Sequence, residues 1–210
     1  MDIRKKMTAV SAVAAAAALA GAGMAGASTT ITPPDTGVTA TSGELTITTA
    51  TGNELTCFIV SGTGTTPADP DNQNPSAGGI DIDIDDVTLS NCLLDFAAQA
   101  NVDTSGTWRL NANGDNYDPV ADTAEGSLFI PAGGATVTAP NCTIEVTQAS
   151  TIGPLEYDNA TSTVTANNDG PIWYESSGGA SYCPPDTGGT LAPATLSGEL
   201  QFSPGVQVTD

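Results

Sequence analysis

The chain has 210 residues, 24 acidic side chains against four basic ones, no histidine and a formal net charge of −20. This composition argues against binding to nucleic acid or to an anionic membrane surface, because both need clustered Lys and Arg. It also excludes a Ser-His-Asp triad and histidine metal ligands, since both need an imidazole.

Residues 1–27 have the pattern of a secretory signal peptide. Residues 4–6 are basic, an Ala/Val-rich apolar stretch follows, and residues 25–27 read Ala-Gly-Ala before Ser28. Cleavage there would leave one Arg and 23 acidic side chains. The sequence therefore predicts a secreted protein that is extracellular or loosely associated with the cell surface.

The rest of the chain is rich in Thr, Ser, Gly and Val and has no long helical period, which favours short strands joined by tight turns. We expect residues 28–37 to form an extended, mobile N-terminal arm and residues 38–210 to form a β domain. A hairpin is predicted over residues 44–60, with its turn at Gly52-Asn53, and a long loop over residues 61–79. Further strands are expected at residues 93–97, 106–110, 126–130, 135–138, 143–147, 161–166, 172–175 and 195–202.

The clearest pattern is the alternation of Ile and Asp over residues 80–85. A period of two places Ile80, Ile82 and Ile84 on one face of a strand and the aspartates on the other. The apolar phase then changes, because Val87 and Leu89 occupy odd positions. One extra residue restores the apolar face, so the sequence predicts a β-bulge near residues 85–86.

Four cysteines, Cys57, Cys92, Cys142 and Cys183, follow the predicted leader. In an exported chain an even number of cysteines indicates disulfides. Three pairings are open, and we favour Cys57–Cys92 with Cys142–Cys183 because each pair then lies within one half of the chain. The alternative is a Cys₄ zinc site, which the absence of a C-x₂-C spacing disfavours.

The chain also reads as two similar halves, residues 38–122 and 123–210, each running strand, Cys, strand, loop, strand, Cys. The fold class predicted is all-β, either an antiparallel β-sandwich or two fused similar β halves stapled by disulfides. The tetrapeptide Ser-Gly-Glu-Leu occurs at residues 42–45 and again at 197–200. This echo predicts that the first and last strands of the domain are equivalent or are neighbours.

Four stretches, at residues 55–57, 89–92, 108–112 and 195–204, resemble the small exported four-cysteine β proteins that are common in actinomycetes. They read Leu-Thr-Cys, Leu-Ser-Asn-Cys, Trp-Arg-Leu-Asn-Ala and Thr-Leu-Ser-Gly-Glu-Leu, the last followed by Ser203-Pro204. The resemblance covers most of residues 38–208 and implies export, β structure and disulfides. That family has no assigned activity, and this chain departs from it in its Asp-rich loops.

Calcium is the one cofactor that the sequence suggests, because hard cations prefer several carboxylate and amide oxygens on flexible turns. Residues 69–73 and 111–115 space such oxygens like the start of a calcium loop, and the aspartates of residues 81–85 lie about 7 Å apart along one strand face. The alternative is solvated loops and a charged strand face that discourages edge pairing. The candidate ligands are Asp69, Asp71, Asp81, Asp83, Asp85, Asn113 and Asp115.

Aromatic side chains suggest a second binding mode. Trp173, Tyr174 and Tyr182 could stack against a carbohydrate, although aromatics make up only 5% of the chain and most are expected in the core. A strand places Trp173 and Tyr174 on opposite faces, so that only one of them is exposed. Trp108 is predicted to be a core residue.

A pair of carboxylates could hydrolyse a glycosidic bond if the two groups lay about 5–10 Å apart in a cleft. With so many acidic residues some pair always meets this distance, so the pattern does not indicate an enzyme.

The sequence therefore predicts a non-catalytic structural or binding protein at the cell or spore exterior, with a calcium-dependent or carbohydrate-binding module as the alternative. Its acidity favours a cationic wall or surface partner, or self-association where salt screens the repulsion. The acidity is equally consistent with a saline habitat.

Overall fold

The computed structural model describes residues 28–76 and 78–210 and is all-β, as predicted. The predicted signal peptide, residues 1–27, lies outside the described residues. No helix among the described residues is long and apolar enough to cross a membrane. The described strands are β1 (Thr29–Thr32), β2 (Gly37–Ser42), β3 (Leu45–Thr49), β4 (Glu54–Thr65), β5 (Gln73–Asn74), β6 (Ile80–Leu94), β7 (Ala98–Thr104), β8 (Trp108–Asp118), β9 (Thr123–Ile130), β10 (Ala135–Ala139), β11 (Cys142–Glu145), β12 (Ser150–Asp158), β13 (Thr163–Gly178), β14 (Ala192–Ser203) and β15 (Gln207–Thr209).

Twelve of the strands form one large antiparallel sheet that closes on itself twice. At one end, each strand of the series β2, β4, β6, β8, β9, β12, β13 and β14 pairs with the next, and β14 pairs back with β2. We call this closed series the terminal ring. Its interior is wide enough to be filled by side chains, as expected for eight strands.

The other end closes through the series β3, β4, β6, β7, β10, β11, β13 and β14, in which β14 pairs back with β3. We call this series the disulfide ring. The long strands β4, β6, β13 and β14 run through both rings, so the two share one continuous wall. The buried apolar side chains of both rings belong to one core cluster.

The alternating segment forms the first part of β6 and confirms the predicted faces. Ile80, Ile82 and Ile84 are buried, and the three aspartates between and after them are exposed. Opposite β4, Ser61 pairs with Thr88 but Thr63 pairs with Asp85, so two residues of β6 face one residue of β4. The predicted β-bulge is therefore present at residues 86–87, and it returns Leu89 to the core.

A small sheet in the order β15-β1-β5 covers the outer end of the terminal ring, where β1 and β15 contact β8. The predicted N-terminal arm is extended, but it is not free. Strand β1 pairs on both sides, and Thr29 and Ile31 are completely buried. Pairing with the last strand of the chain, which the local sequence could not indicate, fixes this segment.

Several predicted boundaries were wrong. Strand β4 continues to Thr65 and β5 interrupts the next segment, so the loop predicted over residues 61–79 is shorter. The strands predicted at residues 161–166 and 172–175 are parts of one long strand, β13, which passes Gly170-Pro171 with two register shifts against β14. The strand predicted at residues 93–97 is the end of β6 and the turn that follows it. Strands β2, β7, β12 and β15 were not predicted, because each mixes polar and apolar residues without a clear bounding turn.

The repeated Ser-Gly-Glu-Leu segments are neighbours, which confirms one of the two predicted alternatives. Gly198 lies opposite Leu45, and Gln201 lies opposite Thr41. A Cβ atom on Gly198 would lie 2.7 Å from the backbone oxygen of Glu44, and its φ of +141° is also outside the range of ordinary residues. The glycine therefore allows the chain to cross from one ring to the other at this point.

The two sequence halves contribute to the same closed sheet. Strand β8 of the first half pairs with β9 of the second, β7 pairs with β10, and β2 and β3 both pair with β14. The core is therefore shared between residues 38–122 and residues 123–210. That the halves are related as a repeat stays a prediction.

Candidate functional site

The acidic face of β6, formed by Asp81, Asp83 and Asp85, lies on the outside of the terminal ring. Asp81 accepts hydrogen bonds from Arg109 Nη1 at 3.1 Å and from Asn111 Nδ2 at 2.8 Å. Thr107 Oγ1 donates to Asp85 Oδ1 at 2.9 Å. Two of the three carboxylates are thus engaged by neighbouring side chains of the same surface.

Arg109 is the single basic residue of the described part of the chain, and it is held above this face. Its guanidinium carbon lies 4.3 Å from the centre of the Phe129 ring, in a cation–π contact, while Nη1 pairs with Asp81. Both partners of the ion pair are about 40% exposed, at 41% and 44%. Because solvent screens such a pair, we assign it little stability, up to about 1 kcal/mol.

Asp69 and Asp71 lie in the exposed loop between β4 and β5. Asp69 Oδ1 accepts a hydrogen bond from Gln73 Nε2 at 3.2 Å. Asn72 of the same loop is buried, and its Nδ2 donates to the backbone oxygen of Ile31 at 2.9 Å. The loop therefore holds β1 in place. The spacing of oxygen-bearing side chains over residues 69–73 suggested calcium binding and did not indicate this role.

Asn113 and Asp115 lie in β8 beside the small sheet. Asn113 Oδ1 accepts a hydrogen bond from the backbone N–H of Asp115 at 2.9 Å, and Asp115 Oδ2 accepts one from Gly78 N at 2.6 Å. Gly114, between them, leaves room for the chain ends, because a Cβ there would lie 2.3 Å from the backbone oxygen of Thr209. These side chains hold the backbone of Asp115 and Gly78 in place beside the small sheet.

The candidate calcium ligands thus occupy three separate places: the β4–β5 loop, the acidic face of β6 and the end of β8. Across residues 28–76 and 78–210 no three His, Cys, Asp or Glu side chains are grouped so that they could hold a metal ion. Calcium binding by any of them stays a prediction.

The aromatic candidates do not form a common platform. Trp173 is partly exposed on the outer side of β13, whereas Tyr174 is 3% exposed and packs in the core. Tyr182 Oη donates to the backbone oxygen of Pro140, which fastens the loop after β13 to the β10–β11 turn. The expectation that Tyr174 could stack on a sugar is corrected by its burial, and the predicted opposite orientation of Trp173 and Tyr174 is confirmed.

Among residues 28–76 and 78–210, four groups have shifted pKa values, and all four lie on strands of the rings. The hydrogen bond that the partly buried Tyr117 donates to Asp122 raises the pKa of this tyrosine. Backbone N–H groups of Val120 and Ala121 lower the pKa of Asp118, which closes the β8–β9 turn. Burial raises the pKa of Tyr157 and of Tyr174.

Both favoured disulfides are formed. Cys57 lies directly opposite Cys92 on β4 and β6, and Cys142 of β11 is joined to Cys183 in the loop that follows β13. All four side chains are buried, with at most 6% exposure. The cysteines are therefore structural, and the competing zinc site is ruled out because no thiolate is left to bind a metal.

Each ring contains a small cavity, and Trp108 lines both of these cavities. Their volumes are about 40 Å³ in the terminal ring and about 50 Å³ in the disulfide ring. Trp108 is 7% exposed, as expected for a core residue, and its Nε1 donates to the backbone oxygen of Gly134 at 3.3 Å. The sequence analysis did not predict these cavities, because they depend on which small residues the strand pairing brings together inside a ring.

Comparison with known proteins gave no match to a family model, a curated protein or a solved structure.

Proposed function

We propose that this protein is exported and works outside the cell as a non-catalytic component of the cell or spore exterior, held there by a cationic partner. The observation that carries the proposal is the pair of buried disulfides, which use all four cysteines. Disulfides form and persist in oxidising compartments outside the cytosol. They support the export that residues 1–27 predict.

The charge of the surface supports a cationic partner. Residues 28–210 contain one Arg and 23 acidic residues, and that Arg is already engaged by Asp81 and Phe129. Opposite charge on a partner raises the rate of encounter and fixes orientation more than it adds affinity. A cation-rich wall or coat is therefore a better fit than a second copy of this acidic chain.

The closure of the sheet also weighs against assembly edge to edge. Strands aggregate through unpaired edges, and closed rings remove those edges. In the described part of the chain, the free side of β15 is covered by Asn159, whose side chain accepts from Val208 N at 2.7 Å and donates to Val208 O at 2.8 Å. We therefore favour a monomer attached to a surface over a self-assembled filament.

The test is to fractionate a culture into medium, a high-salt wash of intact cells or spores, and the remaining pellet. We expect a chain that begins at Ser28, has no free thiols and appears in the medium and the salt wash, because salt screens attraction between charges. Purified protein added to washed cells of a deletion strain should bind saturably at low salt. An uncleaved, thiol-containing chain in the cytosol, or no saturable binding, would overturn the proposal.

A melting experiment in matched ionic strengths of Ca²⁺, Mg²⁺ and Na⁺ separates surface binding from the calcium alternative. A site at 100 times its dissociation constant stabilises the fold by about 2.7 kcal/mol. Equal melting temperatures with the two divalent ions would support plain charge screening. A shift specific to Ca²⁺, lost in Asp83→Asn or Asp115→Asn but kept in the exposed control Asp186→Asn, would replace the proposal with a calcium-dependent module.

A further inference from the structure

The two cavities have a clear origin in the sequence. Four small residues on the neighbouring strands β13, β14, β2 and β4 of the terminal ring, Ala40, Gly62, Ala166 and Gly198, border its cavity. In the disulfide ring the small residues are Ala135 and Ala194. An eight-stranded closed sheet has an interior that is either filled by side chains or holds one small ligand. Small residues grouped on neighbouring strands of the terminal ring, and on β10 and β14 of the disulfide ring, leave the space empty here.

The linings of the two cavities contain almost no free polar group to which a water molecule could hydrogen-bond. Apart from Ser61, the terminal-ring cavity is lined by apolar side chains and glycines. The disulfide-ring cavity has four polar side chains in its lining, those of Thr49, Asn53, Trp108 and Tyr174. Thr49 Oγ1 donates to the backbone oxygen of Asn53 at 3.1 Å, the Asn53 side chain is bonded to Thr51 and Asp95, and the indole N–H of Trp108 is paired. The Tyr174 hydroxyl lies beside Thr49. A buried water needs two to four polar partners, so cavities of this kind stay dry.

We propose that the two rings bind small apolar molecules in these dry cavities. The volumes of about 40 and 50 Å³ exceed the ~10–15 Å³ that one water needs but are well below the ~150 Å³ of a cavity that admits benzene. The ligand class is therefore a monatomic gas or a hydrocarbon of a few carbon atoms. Binding is driven by dispersion contacts with the lining, which an empty cavity lacks.

The experiment uses xenon as the probe and methyl NMR of the purified protein as the readout. Under xenon pressure, we expect saturable shifts at the methyl groups of Leu200, in the terminal-ring cavity, and of Val137, in the disulfide-ring cavity. Benzene at its solubility limit should leave both unshifted. Absence of xenon shifts, or shifts spread over surface methyls, would overturn the proposal.

Each cavity provides the control for the other. Ala166→Val fills the terminal-ring cavity and should abolish the xenon shift at Leu200 while that at Val137 persists. Ala194→Val should do the reverse. A β-branched residue suits both strand positions. If Ala166→Val does not fold, Ala40→Val fills the same cavity from β2, two strands away around the ring. Shifts that survive both filling substitutions would show that xenon binds elsewhere.

Discussion

The two rings share four strands and one core, but they are held together by different means. Both disulfides belong to the disulfide ring, where they join β4 to β6 and β11 to the loop after β13. No cysteine lies in β2, β8, β9 or β12, the strands that belong to the terminal ring alone. Its outer end is covered instead by β1 and β15, which come from the two ends of the described chain.

This difference shows two ways of stabilising the ends of a closed β-sheet. A disulfide stabilises mainly by restricting the unfolded chain. The small sheet acts in the folded state, by burying Ile31, Val206 and Val208 and by pairing polar backbone with Asn72 and Asn159. The two ends should therefore respond differently to reduction, to truncation of core side chains and to pH.

The largest effect is expected from the double substitution Cys57→Ala with Cys92→Ala. The bond spans 35 residues, so its loss should lower the free energy of unfolding by about 4 kcal/mol. Chemical denaturation without reductant measures this change, and hydrogen exchange should accelerate mainly in β3 and β7. The matched pair Cys142→Ala with Cys183→Ala should cost a similar amount. Equal loss of protection in β8 and β9 would contradict the separate closure of the rings.

Next in size is Ile31→Ala, which truncates a completely buried side chain in β1. Removing such a side chain from a packed core costs about 3–4 kcal/mol. The substitution should lower the denaturation midpoint and expose residues 28–36 to proteolysis. The control Ile59→Ala, at a side chain that is 50% exposed, should change stability by less than about 0.5 kcal/mol. Similar effects of the two variants would show that the small sheet does not stabilise the terminal ring.

Asn159→Ala tests the side chain that pairs with the free edge of β15. The substitution leaves the buried N–H and C=O groups of Val208 without partners, at a cost of about 2 kcal/mol. Hydrogen exchange at Val208 should become faster while β11 is unchanged. Asn116→Ala, at an exposed asparagine bonded to Glu125, is the matched control. Unchanged protection of Val208 would rule out this role for Asn159.

The smallest effect is expected at alkaline pH. Each ring contains one buried tyrosine, Tyr157 in the terminal ring and Tyr174 in the disulfide ring. Burial raises the pKa of both above 10.0. As the pH rises through 10, the unfolded tyrosines ionise while the folded ones stay neutral, so stability falls above this pH and is constant just below it. Residues 28–210 contain no lysine to mask the titration.

Denaturation curves between about pH 9 and 11 measure this loss. Tyr174→Phe should reduce the slope of stability against pH with little effect at neutral pH. Tyr157→Phe should reduce the slope as well, and should also cost about 1 kcal/mol at neutral pH because Val206 O loses its donor at 2.7 Å. An unchanged slope in both variants would contradict the assignment of the alkaline transition to these residues.

Much of the local structure followed from the sequence. The period-two pattern of residues 80–85 predicted which face of β6 is buried. The change of phase predicted a bulge near residues 85–86, and the structure has it at residues 86–87. The spacing of the cysteines favoured the two bonds that are formed. The candidate sites were less well predicted, because oxygen spacing along a loop does not reveal that Asn72 and Asp115 hold neighbouring backbone in place.

The sequence by itself determined the all-β class and the inward side of β6, because these depend on alternation along a few residues. It favoured the disulfide pairs but left three pairings open. Only the tertiary structure decided that the sheet closes into two rings, that β1 lies beside β15 and that Tyr174 is buried. These features depend on pairings such as Thr30 with Thr209, at the two ends of the described chain. Such pairs are selected by packing and register across the whole sheet, which no local pattern encodes.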